Sequence, residues 1–79
     1  MKRDMDLCRL ILFKIEDEYR STALINLQID GYDVETIAYH CDLLFDAGLI
    51  KSYKPTYASD EIYFFSVGAL TWEGHDFLD

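Results

Sequence analysis

The sequence predicts one small α+β domain in which helices pack against a short antiparallel hairpin. Three observations predict it. Apolar residues recur at three- and four-residue spacing in 7–15 and again in 34–45, the period of a helix with one buried face. Residues 61–67, "EIYFFSV", are dense in aromatic and β-branched side chains, which suit a strand. Seventy-nine residues leave room for a single core, with roughly 40% of the unfolded chain's surface still exposed.

The elements follow in order. Asp4 or Asp6 caps a first helix, and either charge suits its N-terminus. Leu7, Cys8, Ile11, Leu12 and Ile15 form its buried stripe, and Leu10 and Phe13 widen it, so cover on more than one side is expected. "EDEYR" closes that helix as a solvated end. "STALINLQ" lacks helical spacing and reads as a short strand over Thr22 to Leu27. "IDGYD" is a turn, since Asp-Gly supplies left-handed backbone geometry. Asp33 caps a second helix with an apolar face of Val34, Ile37, Ala38, Cys41, Leu44 and Phe45, and Gly48 stops it.

Leu49 and Ile50 open a strand that runs through "KSYK". Residues 55–60 form the hairpin tip, and 61–67 return. Large side chains alternate poorly there, so one face of the strand is core and the other needs a cover. Thr71 caps a last helix from Trp72 to about Leu78, with Glu73 in its first turn. Gly74 inside it costs helix stability and predicts close backbone packing.

Helix, strand, turn, helix, strand, wing, strand, helix is the order of a winged helix with its middle shortened. A full helix-turn-helix has a further supporting helix before the recognition helix. Either that helix is lost, or "STALINLQ" is its degenerate form. The whole of 1–79 is read as this one winged-helix-like domain.

Composition bounds what such a domain does. The chain is 51% apolar and 15% aromatic, so it folds and is not a disordered tail. No segment suits a bilayer span. "MKRDMDLC" has no apolar run behind it and no small-residue cleavage site, which argues against a signal peptide and for the cytoplasm. Cys8 and Cys41 both fall on apolar stripes and read as reduced core thiols rather than a disulfide. The net charge of −8 opposes polyanions. Residues 1–20 balance five basic against five acidic groups, whereas 21–50 hold Asp30, Asp33, Glu35, Asp42 and Asp46 with no base. The most acidic block therefore contains the candidate recognition helix.

Resemblance adds context. "HCDLLFDAGLI" resembles the "HLxxLxxAGLI" pattern that ends the recognition helix of many bacterial winged-helix repressors, and "LTWEGHDFL" resembles the "LTxxG" step into their last helix. Taken together, "MKRDMDLCRLIL", "IAYHCDLLFDAGLI" and "LTWEGHDFLD" resemble a bacterial and prophage-associated family, the domain of unknown function numbered 2513. That resemblance covers nearly the whole chain. It implies a small winged-helix-like protein with no established activity, and a last helix cut short, because members of that family continue further.

Two functional readings stand. With Ile37, Cys41 and Leu44 facing the core, the helix over 33–47 presents Glu35, Thr36, Tyr39, Asp42 and Leu43 outward. Base edges are read by arginine, lysine, asparagine and glutamine, and phosphate neutralisation supplies most DNA affinity. That duty would fall to Lys51 and Lys54 on the wing over 51–61, with Tyr53 beside them, and to the cations near the amino terminus. A transcription regulator that contacts DNA through Glu35, Thr36, Tyr39, Lys51 and Lys54 is the second reading. The first is a regulatory module that binds a protein partner or a second copy of itself. Its acidic helix face would meet a basic partner, and Tyr63, Phe65 and Trp72 would provide apolar contact, since aromatic side chains favour interfaces.

Catalytic patterns are missing. His40 and Cys41 are adjacent and diverge by about 100° on a helix, which prevents a shared metal. Neither His75 nor Cys8 has ligand spacing nearby. There is no glycine-rich phosphate loop, and no serine has a neighbouring base. His75 with Asp76 is a weak pair on a short helix. The expectation is a non-enzymatic protein with no cofactor, no metal and no membrane partner.

Overall fold

The computed structural model describes every residue, Met1–Asp79. It is α+β: α1 (Met5–Glu18), β1 (Leu24–Ile25), α2 (Val34–Asp46), β2 (Tyr53–Ala58), β3 (Glu61–Val67) and α3 (Trp72–Leu78). The sheet is antiparallel in the order β1-β3-β2, with β3 at its centre. Fourteen buried apolar residues from α1, α2, β3 and the connecting segments make one core, and the partly buried Phe77 and Leu78 of α3 pack against it.

Asp4 is the residue that caps α1, accepting the Leu7 N–H at 3.1 Å. The predicted stripe of Leu7, Cys8, Ile11, Leu12 and Ile15 is buried. Leu10 and Phe13 are not covered; they remain 45% and 53% exposed. A chain with one core can bury one face of α1, and the 28–30 segment reaches the second only at its edge, beside Leu10 and Phe13. The same holds at the margins of α2, where Val34 and Phe45 stay 44% exposed while Ile37, Ala38, Cys41 and Leu44 are buried.

The strand expected over Thr22 to Leu27 shrinks to two residues. Asn26 takes a left-handed backbone, φ 51°, and ends it. Its amide still serves β3, since Oδ1 accepts the Phe65 N–H at 3.1 Å and its own N–H goes to the Phe65 carbonyl at 2.8 Å. No helix lies between β1 and α2. The chain instead turns at Gly31, φ 88°, with the Tyr32 N–H on the Ile29 carbonyl at 3.2 Å.

Asp33 caps α2 through the Thr36 N–H at 2.8 Å. Gly48, φ 77°, closes it: its N–H reaches the Phe45 carbonyl, and the Leu49 N–H reaches the Leu44 carbonyl at 2.9 Å. This is the paired arrangement that satisfies orphaned helix carbonyls. Regular strand then begins at Tyr53, not at Leu49, because Ile50 makes only an isolated bridge to Leu70.

The hairpin tip is also shorter than expected. Residues 55–58 lie within β2, and the loop is Ser59-Asp60, with φ of 53° and 66°. Two positive φ values in a row match the turn that follows the natural twist of a hairpin. Pro55 is tolerated because β2 is an edge strand. A bulge between Thr56 and Tyr57 shifts the pairing from Thr56↔Phe64 to Tyr57↔Ile62, leaving Tyr63 unmatched.

Thr71 caps α3, accepting the Gly74 N–H at 3.0 Å and donating its hydroxyl to the Gly48 carbonyl at 2.6 Å. A Cβ on Gly74 would run into the Leu49 carbonyl, so the predicted close packing is present. His75 Nδ1 lies 3.2 Å from a Glu16 carboxylate oxygen, tying α3 to α1.

Candidate functional site

Sequence reasoning pointed to the outward face of α2 and to the hairpin, and the two lie side by side along one groove. Glu35 and Asp42 are exposed; Thr36, Tyr39 and Leu43 are partly buried. Glu35, Tyr39 and Asp42 join Tyr53, Tyr57 and Asp60 of the hairpin around a groove of about 220 Å³. Leu43 belongs to a neighbouring hollow with Arg3, Met5, Asp46 and Phe77. Thr36 serves α2 internally, giving its N–H to Asp33 and its carbonyl to His40.

The N-terminal segment crosses this face. The Tyr39 hydroxyl donates to the Met1 carbonyl at 3.1 Å, and the Tyr32 hydroxyl donates to Asp4 Oδ2 at 3.3 Å. His40 completes the strap. It is 1% exposed. Its Nδ1 sits 2.8 Å from the Thr36 carbonyl, which can only accept, so Nδ1 carries the proton. Nε2 is then free to accept the Asp4 N–H at 2.9 Å. A neutral ring satisfies both partners, which is how a buried histidine avoids an orphaned polar atom.

The wing residues separate. The Tyr53 ring packs on Phe65, with centroids 6.1 Å apart, on the core side of the sheet. Side chains alternate along a strand, so Lys54, paired with Ser66, points to the other face, away from α2. Lys51 is exposed in the connection before β2. The three aromatic contact residues also part company. Tyr63 and Trp72 are 70% and 79% exposed, whereas Phe65 is 0% exposed and belongs to the core. Phe65 is therefore withdrawn from any contact surface. Sequence reasoning missed Tyr57 and Asp60 as partners of α2, and missed Tyr32 and His40 as anchors of the strap.

Two electrostatic features bear on chemistry. Burial, then the neighbouring Tyr57 and Asp42, push the Tyr53 phenol up to about 12, so it remains a hydrogen-bond donor at neutral pH. Cys8 and Cys41 are free and buried, and burial pushes the Cys41 thiol up to about 12, which keeps it unreactive. No three His, Cys, Asp or Glu side chains converge as metal ligands would. No helix is long and apolar enough to cross a membrane.

No solved structure matches this chain. A protein of Haemophilus influenzae described as uncharacterized is 40% identical over 80 residues, an alignment that covers 100% of this chain and 66% of the relative. The chain thus spans slightly less than two thirds of that relative's length. The family model described as "Hypothetical protein (DUF2513)" matches residues 2–79, and the chain belongs to that family, the one its three sequence blocks resemble.

Proposed function

We propose that this chain is a non-enzymatic regulatory module of phage or prophage type, built on a winged-helix-like scaffold and acting in the cytoplasm through protein contacts. A second copy of the chain is one candidate partner. The observation that carries this reading is the chemistry of the α2–hairpin groove: Glu35, Asp42 and Asp60 stand around it, and none of the seven lysines and arginines lines it. On a winged helix this is the face that would approach a phosphate backbone. At ~7 Å, each carboxylate–phosphate pair costs about 0.6 kcal/mol in a water-like dielectric and about 2.4 kcal/mol in an interface-like one. Lys54 lies on the opposite sheet face and offsets little of this.

The second reading, a DNA-binding regulator, has one observation in its favour. The strap brings Lys2 and Arg3 alongside α2, where Arg3 shares a hollow with Leu43. The two readings separate by salt. Fluorescence anisotropy on random duplex DNA at about 50 mM salt, paired with light scattering for molar mass, is the test. The interaction reading expects no saturable DNA binding. DNA binding that is lost by about 200 mM salt would establish the DNA reading in its place.

A further inference from the structure

The α2–hairpin groove has a composition beyond its charge. Tyr39, Tyr53, Tyr57 and Ile62 give it an aromatic and aliphatic wall, and Glu35, Asp42 and Asp60 supply the anions. Those three carboxylates take no part in the chain's ion pairs, which are Arg9–Asp6, Lys14–Glu18 and His75–Glu16. They also accept none of its side-chain hydrogen bonds. Their acceptor capacity is thus unspent within the fold. Tyr57 is 60% exposed and offers an open ring face, while Tyr53 is held against Phe65.

Size and charge narrow the occupant. At about 220 Å³ the groove is smaller than the roughly 300–1,000 Å³ of sites that enclose a small-molecule ligand. It fits a side chain better than a metabolite. The carboxylates do not converge as a metal site would, and their sign disfavours a polyanion. What remains is an organic cation carried on a peptide. Of the two such side chains, arginine matches more of the features, because its planar guanidinium stacks on aromatic faces and binds carboxylates through a fork of donors.

Resting on the protein-interaction reading, we infer that this groove docks an arginine-bearing segment of a partner protein, with the guanidinium against Tyr57 and the carboxylates of Glu35, Asp42 and Asp60 as its anions. The strap forms one end of the site, since Met1 lines the groove and is held there by Tyr39.

The test is an NMR titration of the ¹⁵N-labelled chain at about 20 mM salt. The probes are acetyl-Gly-Arg-Gly-Arg-Gly-amide, the matching lysine peptide, and the matching citrulline peptide, which keeps the shape of arginine without its charge. Saturable shifts confined to the amides around Tyr39, Asp42, Tyr53, Tyr57 and Asp60 are expected with the arginine peptide, weaker ones with lysine, and none with citrulline. Glu35→Gln with Asp42→Asn, two exposed positions whose change leaves the core untouched, should weaken binding about two- to thirtyfold. Tyr57→Ala should weaken it about two- to fivefold. Absent shifts, shifts elsewhere on the chain, equal binding of citrulline or lysine, or a double variant that binds as the parent does would each overturn the arginine assignment. If duplex DNA is also refused, the broader interaction reading survives that result. If duplex DNA shifts the same groove amides, both readings fall together.

Discussion

Gly74→Ala sets two physical effects against each other. Helix propensity alone favours the change, since alanine is about 1 kcal/mol better than glycine inside a helix. Packing opposes it. The new Cβ would collide with the Leu49 carbonyl oxygen and would lie 3.1 Å from the carbonyl carbon and 3.2 Å from the Leu70 Cβ. The obstruction is backbone, so no rotamer change relieves it. The Leu49 carbonyl is also committed, accepting the Thr71 N–H at 3.0 Å. Relief therefore requires α3 to move off the α2–β2 connection. Overpacking of this kind costs about 1–3 kcal/mol, and loosening the Thr71 hydrogen bonds adds about 1 kcal/mol. Against the propensity gain, the net is a loss of about 1–3 kcal/mol, or roughly 5–20 °C in melting temperature for a domain of this size. Thermal and urea melts followed by circular dichroism measure it, with the exposed Asp76→Ala in the same helix as control. A Gly74→Ala variant as stable as the parent would refute the reasoning, because propensity would then have outweighed a contact argued to be rigid.

Further outcomes follow from other contacts. Thr71→Ala loses both the cap on Gly74 and the hydroxyl bond to Gly48. A stability loss of about 1–2 kcal/mol is expected, read as a shifted urea midpoint at constant slope. Hydrogen bonding from Thr36, side chain first and backbone N–H second, holds the Asp33 carboxyl below its ordinary range. Its contribution is thus complete above the unfolded value near ~4 and lost as pH falls through the lower folded value. Urea melts from pH 6 to 3 should fall less steeply for Asp33→Asn than for the parent. With its thiol buried and pushed up to about 12, Cys41 should react with a disulfide reagent at pH 8 at least about thirtyfold more slowly than a free thiol, the loss of thiolate being partly offset by its greater nucleophilicity. Reaction at the ordinary rate in the absence of urea would contradict its burial. Tyr39→Phe removes only the hydroxyl that holds Met1, so hydrogen exchange over residues 2–4 should quicken while global stability moves by less than about 1 kcal/mol.

What could be read from the sequence was local chemistry. Asp33, Gly48 and Thr71 mark helix ends because a cap is settled within four residues of itself. The stripes of α1 and α2 show which positions are apolar. They do not show how many layers will cover them, which is why Leu10, Phe13, Val34 and Phe45 read as covered positions and yet stay 44–53% exposed. Proline drew the hairpin tip too early, because an edge strand tolerates what a central one would not. The loop formed at Ser59-Asp60, where no glycine signals a positive φ. In β3 the bulge breaks the alternation from which faces are read, so Phe65 looked as available as Tyr63. The strap was the least legible feature. Its three hydrogen bonds join residues 28, 36 and 38 positions apart, and no periodicity records such a pairing.

The helix-free connection between β1 and α2 and the acidic groove bear on the same question from two sides. In a full helix-turn-helix the supporting helix crosses the DNA backbone and helps seat the recognition helix in the groove. Here residues 26–33 make the connection as a turn, and a cleft of about 460 Å³ opens between that turn, Val34 and Tyr63. On the winged-helix reading, that change removes backbone N–H groups that would have faced phosphate. The carboxylates of Glu35, Asp42 and Asp60 add repulsion at the neighbouring edge. On that reading each change would weaken a phosphate contact, and neither would weaken contact with a cationic protein segment, which would gain from the carboxylates and need no second helix to seat it. Meanwhile the strap, pinned by Tyr32, Tyr39 and His40, braces α2 from the solvent side. A helix braced there keeps its position without a nucleic acid to lie in, and the groove beside it is formed before any partner arrives. A preformed groove loses less side-chain entropy on binding than a disordered one. On this reading a single arginine-bearing segment is a sufficient partner for so small a face.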